Sequence, residues 1–210
     1  MARPKFLYKY ASLEKPEYFL DTLVNSHIYA GAFTEMNDPM EGAFKLEYND
    51  PFILKTVLRD KLSHRFCALT TSPFLTLMWS YYAKEHTGYC LEIDVEAEKD
   101  ADLVKIDYSN EIPLIVSSDG DNAKEILSHK FTDWAHEDEW RRFVEIDHAD
   151  PDKPCYWEHV KINKVFFGSK VSNDVYERYK ERIERELKIE TCKVTREDLD
   201  AHHIDTRNKL

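Results

Sequence analysis

The stretch Thr70–Val95, TTSPFLTLMWSYYAKEHTGYCLEIDV, decides how the rest of the chain is read. Ser72-Pro73 suits the start of a helix, because proline is tolerated in the first turn, where its missing N–H costs nothing. Leu75, Met78, Trp79 and Tyr82 recur at i, i+3, i+4 and i+7, a single face of that helix. Gly88 stops the run, and Tyr89, Leu91, Ile93 and Val95 then alternate with Cys90, Glu92 and Asp94 at strand period. Trp79, Tyr81 and Tyr82 beside a glycine turn could form a stacking wall for a planar ligand; the plain alternative is that these rings are core. On either reading Leu75, Leu77 and Met78 are expected to be buried.

Working outward, 210 residues with 42% hydrophobic and 13% aromatic side chains suffice for a folded core and are too apolar for disorder. Only 5 glycines are present, which argues against long flexible linkers. A formal net charge of −11 argues against broad nonspecific binding to nucleic acid. Cys67, Cys90, Cys155 and Cys192 stand far apart, with no CxxC and no zinc-ligand spacing, so they read as reduced thiols. No secretory signal is evident, and no apolar run approaches the ~20 residues a membrane helix needs. The expectation is a cytoplasmic chain without a membrane segment.

Before the central stretch, Phe6 to Tyr10 reads as a strand carrying Lys9, and residues 14–25 as a helix. A short strand at residues 27–30 leads to Asn37-Asp38-Pro39, an irregular loop because Pro39 disfavours helix at Asp38. That loop is suited either to a simple turn or to the border of a pocket, with Glu41 just beyond. Residues 51–64 read as helix and 66–69 as strand. After Val95, residues 103–108 read as one strand paired with the one ending at Val95, and residues 123–130 as a helix continuing toward Trp134. Asp119-Gly120-Asp121 fits no calcium-loop spacing and reads as a turn. Residues 160–167 form a strand, 176–189 a charged surface helix, and 192–194 an edge strand. The expected organisation is one α+β domain over residues 1–195, followed by a polar C-terminal tail over 196–210.

The densest polar segment is DWAHEDEWRR, residues 133–142. If a strand starts here, Glu137 and Glu139 share a face, because side chains repeat every two residues. Two carboxylates side by side repel, which is expected to raise the pKa of one of them, as catalytic sites often do. The plain alternative is a surface acidic cluster neutralised by Arg141 and Arg142. A metal-dependent nuclease using Asp38, Glu41, Glu137 and Glu139 would need ligand spacings that the chain lacks, so no metal site is assigned.

The combination LYKY, NDPME, MWSYYAKEHTGYCLEID, DWAHEDEWR and FFGSKVS, spread over residues 7–172, resembles a bacterial family known as a domain of unknown function. The order of elements is also similar to the ADP-ribosyltransferase fold, a mostly antiparallel split sheet with flanking helices that cradles NAD. That resemblance implies NAD as the substrate. It places Lys9 and Tyr10 at the polar position of the first strand, where the superfamily has a His or Arg followed by Gly. It makes Tyr82 the ring on the nicotinamide, with Trp79 and Tyr81 beside it. Glu139 becomes the catalytic carboxylate, and Glu137 the first Glu of an ExE pair that handles the acceptor. Lys9 or Arg141 would meet the pyrophosphate, and Asn37 and Asp38 would lie on the rim. Lys9 departs from the pattern, since it lacks the planar fork of arginine.

Two functions follow as expectations. One is a transferase that cleaves the nicotinamide–ribose bond of NAD and passes ADP-ribose to an acceptor, as a toxin or phage-defence effector. The other is a noncatalytic nucleotide- or peptide-binding module on the same scaffold. The acceptor is a macromolecule or small molecule that the sequence does not identify.

Overall fold

The sequence alternation of β1 (Phe6–Ala11) sets the first layer of the architecture. A computed structural model describes residues 3–96, 102–146 and 153–207. After β1 come α1 (Pro16–Asn25), β2 (Ile28–Tyr29), β3 (Lys45–Leu46) and α2 (Pro51–Ser63). Next are β4 (His64–Thr70), α3 (Thr76–Tyr81), β5 (Tyr89–Asp94), β6 (Leu103–Lys105) and β7 (Asp107–Tyr108). β8 (Leu114–Ile115), α4 (Asn122–Ile126), β9 (His129–Lys130) and β10 (Glu139–Glu145) follow. The last elements are β11 (Tyr156–Trp157), β12 (Ile162–Phe167), α5 (Asn173–Arg182), β13 (Glu190–Lys193) and α6 (Arg196–Arg207). The result is a mixed α+β chain whose main strand pairings are mostly antiparallel.

The chain divides into two compact units. The first comprises residues 1–27, 69–100 and 158–210, and the second residues 28–68 and 101–157.

In the first unit the strands run β13-β12-β5-β1, with Thr70 at the end of β4 opposite Tyr8. Only the β12–β13 pair is parallel. Both faces of this sheet are covered. On one, Phe19 of α1 packs 4.3 Å from the Tyr89 ring, and Tyr179 of α5 stacks on Phe167. On the other, Tyr10, Cys90 and Phe166 meet Met78 and Trp79 of α3, and Leu199 of α6 joins them. Buried rings on both faces contribute to this unit's hydrophobic stabilisation.

Within it α3 starts at Thr76, later than Ser72-Pro73 suggests. Tyr10 explains the delay: its hydroxyl donates to the Ser72 carbonyl at 2.9 Å and accepts from the Leu75 N–H at 3.2 Å. The Pro73 carbonyl is taken by the Trp79 indole N–H at 2.8 Å. Residues 72–75 are thus bonded to side chains instead of to a first helical turn. Leu77, expected in the core, is 44% exposed, whereas Met78 and Trp79 are buried.

Residues 196–207, read as a polar tail, form α6. Thr195 and Asp198 cap it reciprocally: the Thr195 hydroxyl accepts from the Asp198 N–H, and the Asp198 carboxylate accepts from the Thr195 N–H. Leu199 then has an apolar place to go.

In the second unit the strands run β4-β10-β6, and β10 and β6 are antiparallel with Arg141 opposite Val104. Three two-stranded pairs surround them: β2 with β11, β3 with β8, and β7 with β9. Residues 103–108 are therefore not one strand beside β5. The chain breaks at buried Ile106, whose N–H bonds to the Glu139 carbonyl, while the Asp107 N–H turns to Ser128. The expected helix over residues 123–130 also stops early, at Ile126. The Leu127 carbonyl is held by Arg141, and β9 and a 3₁₀ turn over Thr132–Glu137 follow.

All four cysteines carry free thiols. Among the described residues no helix is long and apolar enough to cross a membrane.

Candidate functional site

The second unit brings together the two polar motifs of the sequence, although they lie 100 residues apart. Asp38 opens the first. Its carboxylate accepts the Met40 N–H at 2.8 Å and its carbonyl accepts the Glu41 N–H at 3.1 Å, a turn that aims Glu41 inward. The Glu41 carboxylate then takes both forks of the Arg141 guanidinium, at 2.6 and 2.8 Å.

Arg141 has no exposed surface. Its Nε donates to Glu139 at 2.6 Å, Nη1 donates to Glu41 and to the Leu127 carbonyl, and Nη2 donates to Glu41 and to Glu139. A guanidinium has five N–H donors, and all are used. The Phe66 ring lies 4.1 Å from the guanidinium carbon. Arg141 therefore has no donor left for a pyrophosphate, which corrects the role that the resemblance implied.

Glu137 and Glu139 do not alternate along a strand. Glu137 ends the 3₁₀ turn, Asp138 turns left-handed at φ 42°, and Glu139 is the first residue of β10. Their carboxylates nevertheless meet at the Lys130 ammonium, 2.5 Å from Glu137 and 2.7 Å from Glu139. All three side chains are buried. The expected upward pKa shift is reversed at Glu139. Burial alone would raise its pKa, but Arg141 and then Lys130 outweigh burial and hold it at about 2. Burial would push Lys130 down, and Glu139 and Glu137 hold it up.

Lys61 adds a third buried cation near Glu41. Its buried ammonium donates to the Gly42 carbonyl and lies 4.4 Å from the Phe33 ring; burial lowers its pKa and the Glu41 charge partly restores it. Three carboxylates are thus paired with two cations, Lys130 and Arg141, while Lys61 acts on Glu41 through charge alone. Arg142 is not among them, for its guanidinium bonds to the Phe143 carbonyl and lies over Trp157. Sequence reasoning missed Lys130, Lys61 and Tyr108, whose hydroxyl accepts the Glu139 N–H at 2.8 Å. No local pattern marks them. Asn37, at the outer end of the turn, is exposed.

The remaining predicted site residues lie in the first unit. Trp79 is wholly buried and its indole N–H is bonded, so it is core and not a stacking wall. Tyr10 is buried against it at a ring distance of 5.0 Å. Tyr82 is half-buried on the same cluster, while Tyr81 is 61% exposed. Lys9 lies between Tyr8 and Tyr10 in β1, so its side chain leaves the opposite face of the sheet from that cluster. The sheet itself therefore separates Lys9 from Trp79 and Tyr82.

Chemically, the carboxylate network as arranged is a saturated internal clamp. It joins the turn at Asp38 to β10 and β9, and its acidic oxygens face cations. Removing Arg141 would leave the buried Glu41 carboxylate without its ion-pair partner. Neither the curated proteins nor the solved structures compared with the chain give a match. Residues 78–142, from Met78 of α3 to Arg142 of β10, match the model of a family described as a protein of unknown function (DUF2971), so over that span this chain is similar to a family whose chemistry is itself undefined.

Proposed function

We propose that the chain is a noncatalytic nucleotide-binding module on a scaffold of the ADP-ribosyltransferase type. The closure of the network around Glu139 carries this reading. A carboxylate that stabilises charge on a ribose must reach the ribose, yet Glu139 is 3% exposed and both its oxygens are bonded to cations. The scaffold component rests on element order: Lys9 in the first strand, β4-α3-β5 next, and a Glu opening the late strand β10. The main strand pairings are mostly antiparallel, as that scaffold requires. Tyr81, on α3 and 61% exposed, is the ring this reading assigns to stacking on a base or nicotinamide. NAD is then a ligand, and no acceptor is required.

A second reading, ADP-ribosyl transfer from NAD by a toxin or defence effector, is favoured by one observation. Glu139 stands first in β10 and its carboxyl is held ionised, the charge state that an oxocarbenium-like transition state needs. On this reading Glu139 must leave Arg141 before it can act.

One experiment separates the two. NAD affinity and nicotinamide release are measured for the wild type, Tyr81→Ala and Glu139→Gln, with circular dichroism confirming the fold of each. Binding without release is expected, and Tyr81→Ala should weaken it about fivefold or more, since stacking contributes roughly 1–3 kcal/mol per base. Release that disappears in folded Glu139→Gln would establish the second reading. A wild type that neither binds nor cleaves NAD sinks both.

A further inference from the structure

We infer that a cleft in the first unit, bordered by Ser80, His86, Lys170 and Arg196, is a binding site for the oxyanion of a small molecule, a phosphate or a carboxylate. The inference uses neither Glu139 nor Tyr81 and so goes beyond the nucleotide reading. The cleft has a volume of about 420 Å³ and is also lined by Thr76 and Ser169. Unlike the clamp in the second unit, it holds cations that are not locked into ion pairs. Among the described residues the ammonium of Lys170 and the guanidinium of Arg196 make no ion pair or hydrogen bond.

His86 is built into this position at a cost. Lys84, Glu85 and His86 follow one another at φ 46°, 52° and 71°. Left-handed backbone costs a side-chain-bearing residue roughly 1–2 kcal/mol, and such strain persists only where the surroundings enforce it. Here they do. The His86 N–H bonds to the Trp79 carbonyl at 3.1 Å, and the Lys170 N–H bonds back to the His86 carbonyl at 3.0 Å. Gly168 permits that approach, since a Cβ there would lie 2.2 Å from the His86 carbonyl oxygen. The imidazole stacks on buried Trp79 at 15° between planes, and its Nε2 lies 3.4 Å from the Ser80 hydroxyl.

The Ser80 hydroxyl donates to the Thr76 carbonyl at 3.0 Å, which leaves its lone pairs for His86. Burial and then the Lys170 charge lower the His86 pKa, so the ring is neutral near pH 7 and an arriving anion would favour its protonation. Glu85 and Asp200 also line the cleft, so the four charged side chains on the lining cancel. Attraction is therefore short-range, through charge-assisted hydrogen bonds, and a ligand carrying an ammonium or hydroxyl beside its oxyanion gains from the two acids.

The test is titration of the full chain with inorganic phosphate, and separately with acetate, while the His86 ring signals are followed by NMR. Saturable shifts are expected at millimolar concentration, and the tighter of the two anions identifies the oxyanion. Lys170→Gln and Arg196→Gln should each weaken that binding roughly tenfold, the scale of one charge-assisted hydrogen bond. Lys55→Gln, an exposed charge in the second unit, should leave it unchanged. Phosphoethanolamine should bind more tightly than ethyl phosphate. No shift with either anion, or an equal loss in Lys55→Gln, would overturn the proposal. Phosphate binding in a chain that fails to bind NAD would retain this site and remove the nucleotide reading.

Discussion

The two polar regions of this molecule use similar residue types in opposite ways. Around Arg141, in the second unit, every guanidinium N–H has a protein acceptor and the surrounding side chains are buried. Around His86, in the first unit, Lys170 and Arg196 border an open cleft and the polypeptide itself is strained. The first spends its hydrogen-bonding capacity on holding the fold. The second spends backbone energy on holding side chains toward a space. Clusters of charged residues in a sequence do not announce which of these they are. What separates them is whether donors and acceptors are already satisfied, because a satisfied group has nothing further to offer a ligand.

The sharpest way to break that contrast is Arg141→Met, which keeps much of the volume and removes the charge. Glu41 and Glu139 would be left as buried carboxylates, so a loss of about 3–5 kcal/mol is expected in urea unfolding. A loss under about 1 kcal/mol would mean that the clamp is not structural. Glu139→Gln should cost less, because Arg141 keeps its bidentate bond to Glu41.

Acid sharpens the same comparison. The folded-state pKa of Glu139, about 2, lies below its ordinary value of 4.5. A lowered carboxylate pKa contributes stability that is fully present above the unfolded value and is lost as pH falls through the folded one. Urea midpoints should therefore fall between about pH 4.5 and pH 2, and the fall should be shallower in Glu139→Gln. Equal acid sensitivity of the two proteins would remove Glu139 from the clamp.

Gly168→Ala addresses the strained region. The added methyl would lie 2.2 Å from the His86 carbonyl oxygen, so the His86 loop must shift, at about 1–3 kcal/mol in thermal or urea unfolding. An unchanged midpoint would show that the loop is not held as tightly as its geometry indicates. The smallest effect is expected for Glu85→Gly, a gain of up to about 1 kcal/mol, because glycine adopts φ 52° without steric penalty. A loss instead would mean that the left-handed run is not strained.

Much of the fold was legible in the residues themselves. Period-two alternation at Phe6–Ala11 and Tyr89–Asp94, Pro16 and Pro51 at helix starts, and Gly88 after the aromatic helix all report locally determined geometry. Such signals survive because dihedral preference and side-chain period act within a few residues. Illegible were the failures of local pattern. Residues 72–75 are not helical because the Tyr10 hydroxyl occupies their backbone, and α4 ends where Arg141 takes the Leu127 carbonyl. Both competitors come from distant strands.

The candidate site shows the same division. Sequence alone singled out Glu137, Glu139, Arg141 and the Asp38 loop, and one-residue spacing suggested that the two Glu side chains would meet. The tertiary structure decided what they meet: Lys130 between them, Glu41 across a separation of 100 residues, and a shell closed to water. It likewise decided that Trp79 is core, that Lys9 leaves the opposite face, and that His86 borders a cleft. Residue type sets which charges and hydrogen bonds are available. Burial and long-range pairing set which of them are already used, and those depend on segments that approach one another only when the chain folds.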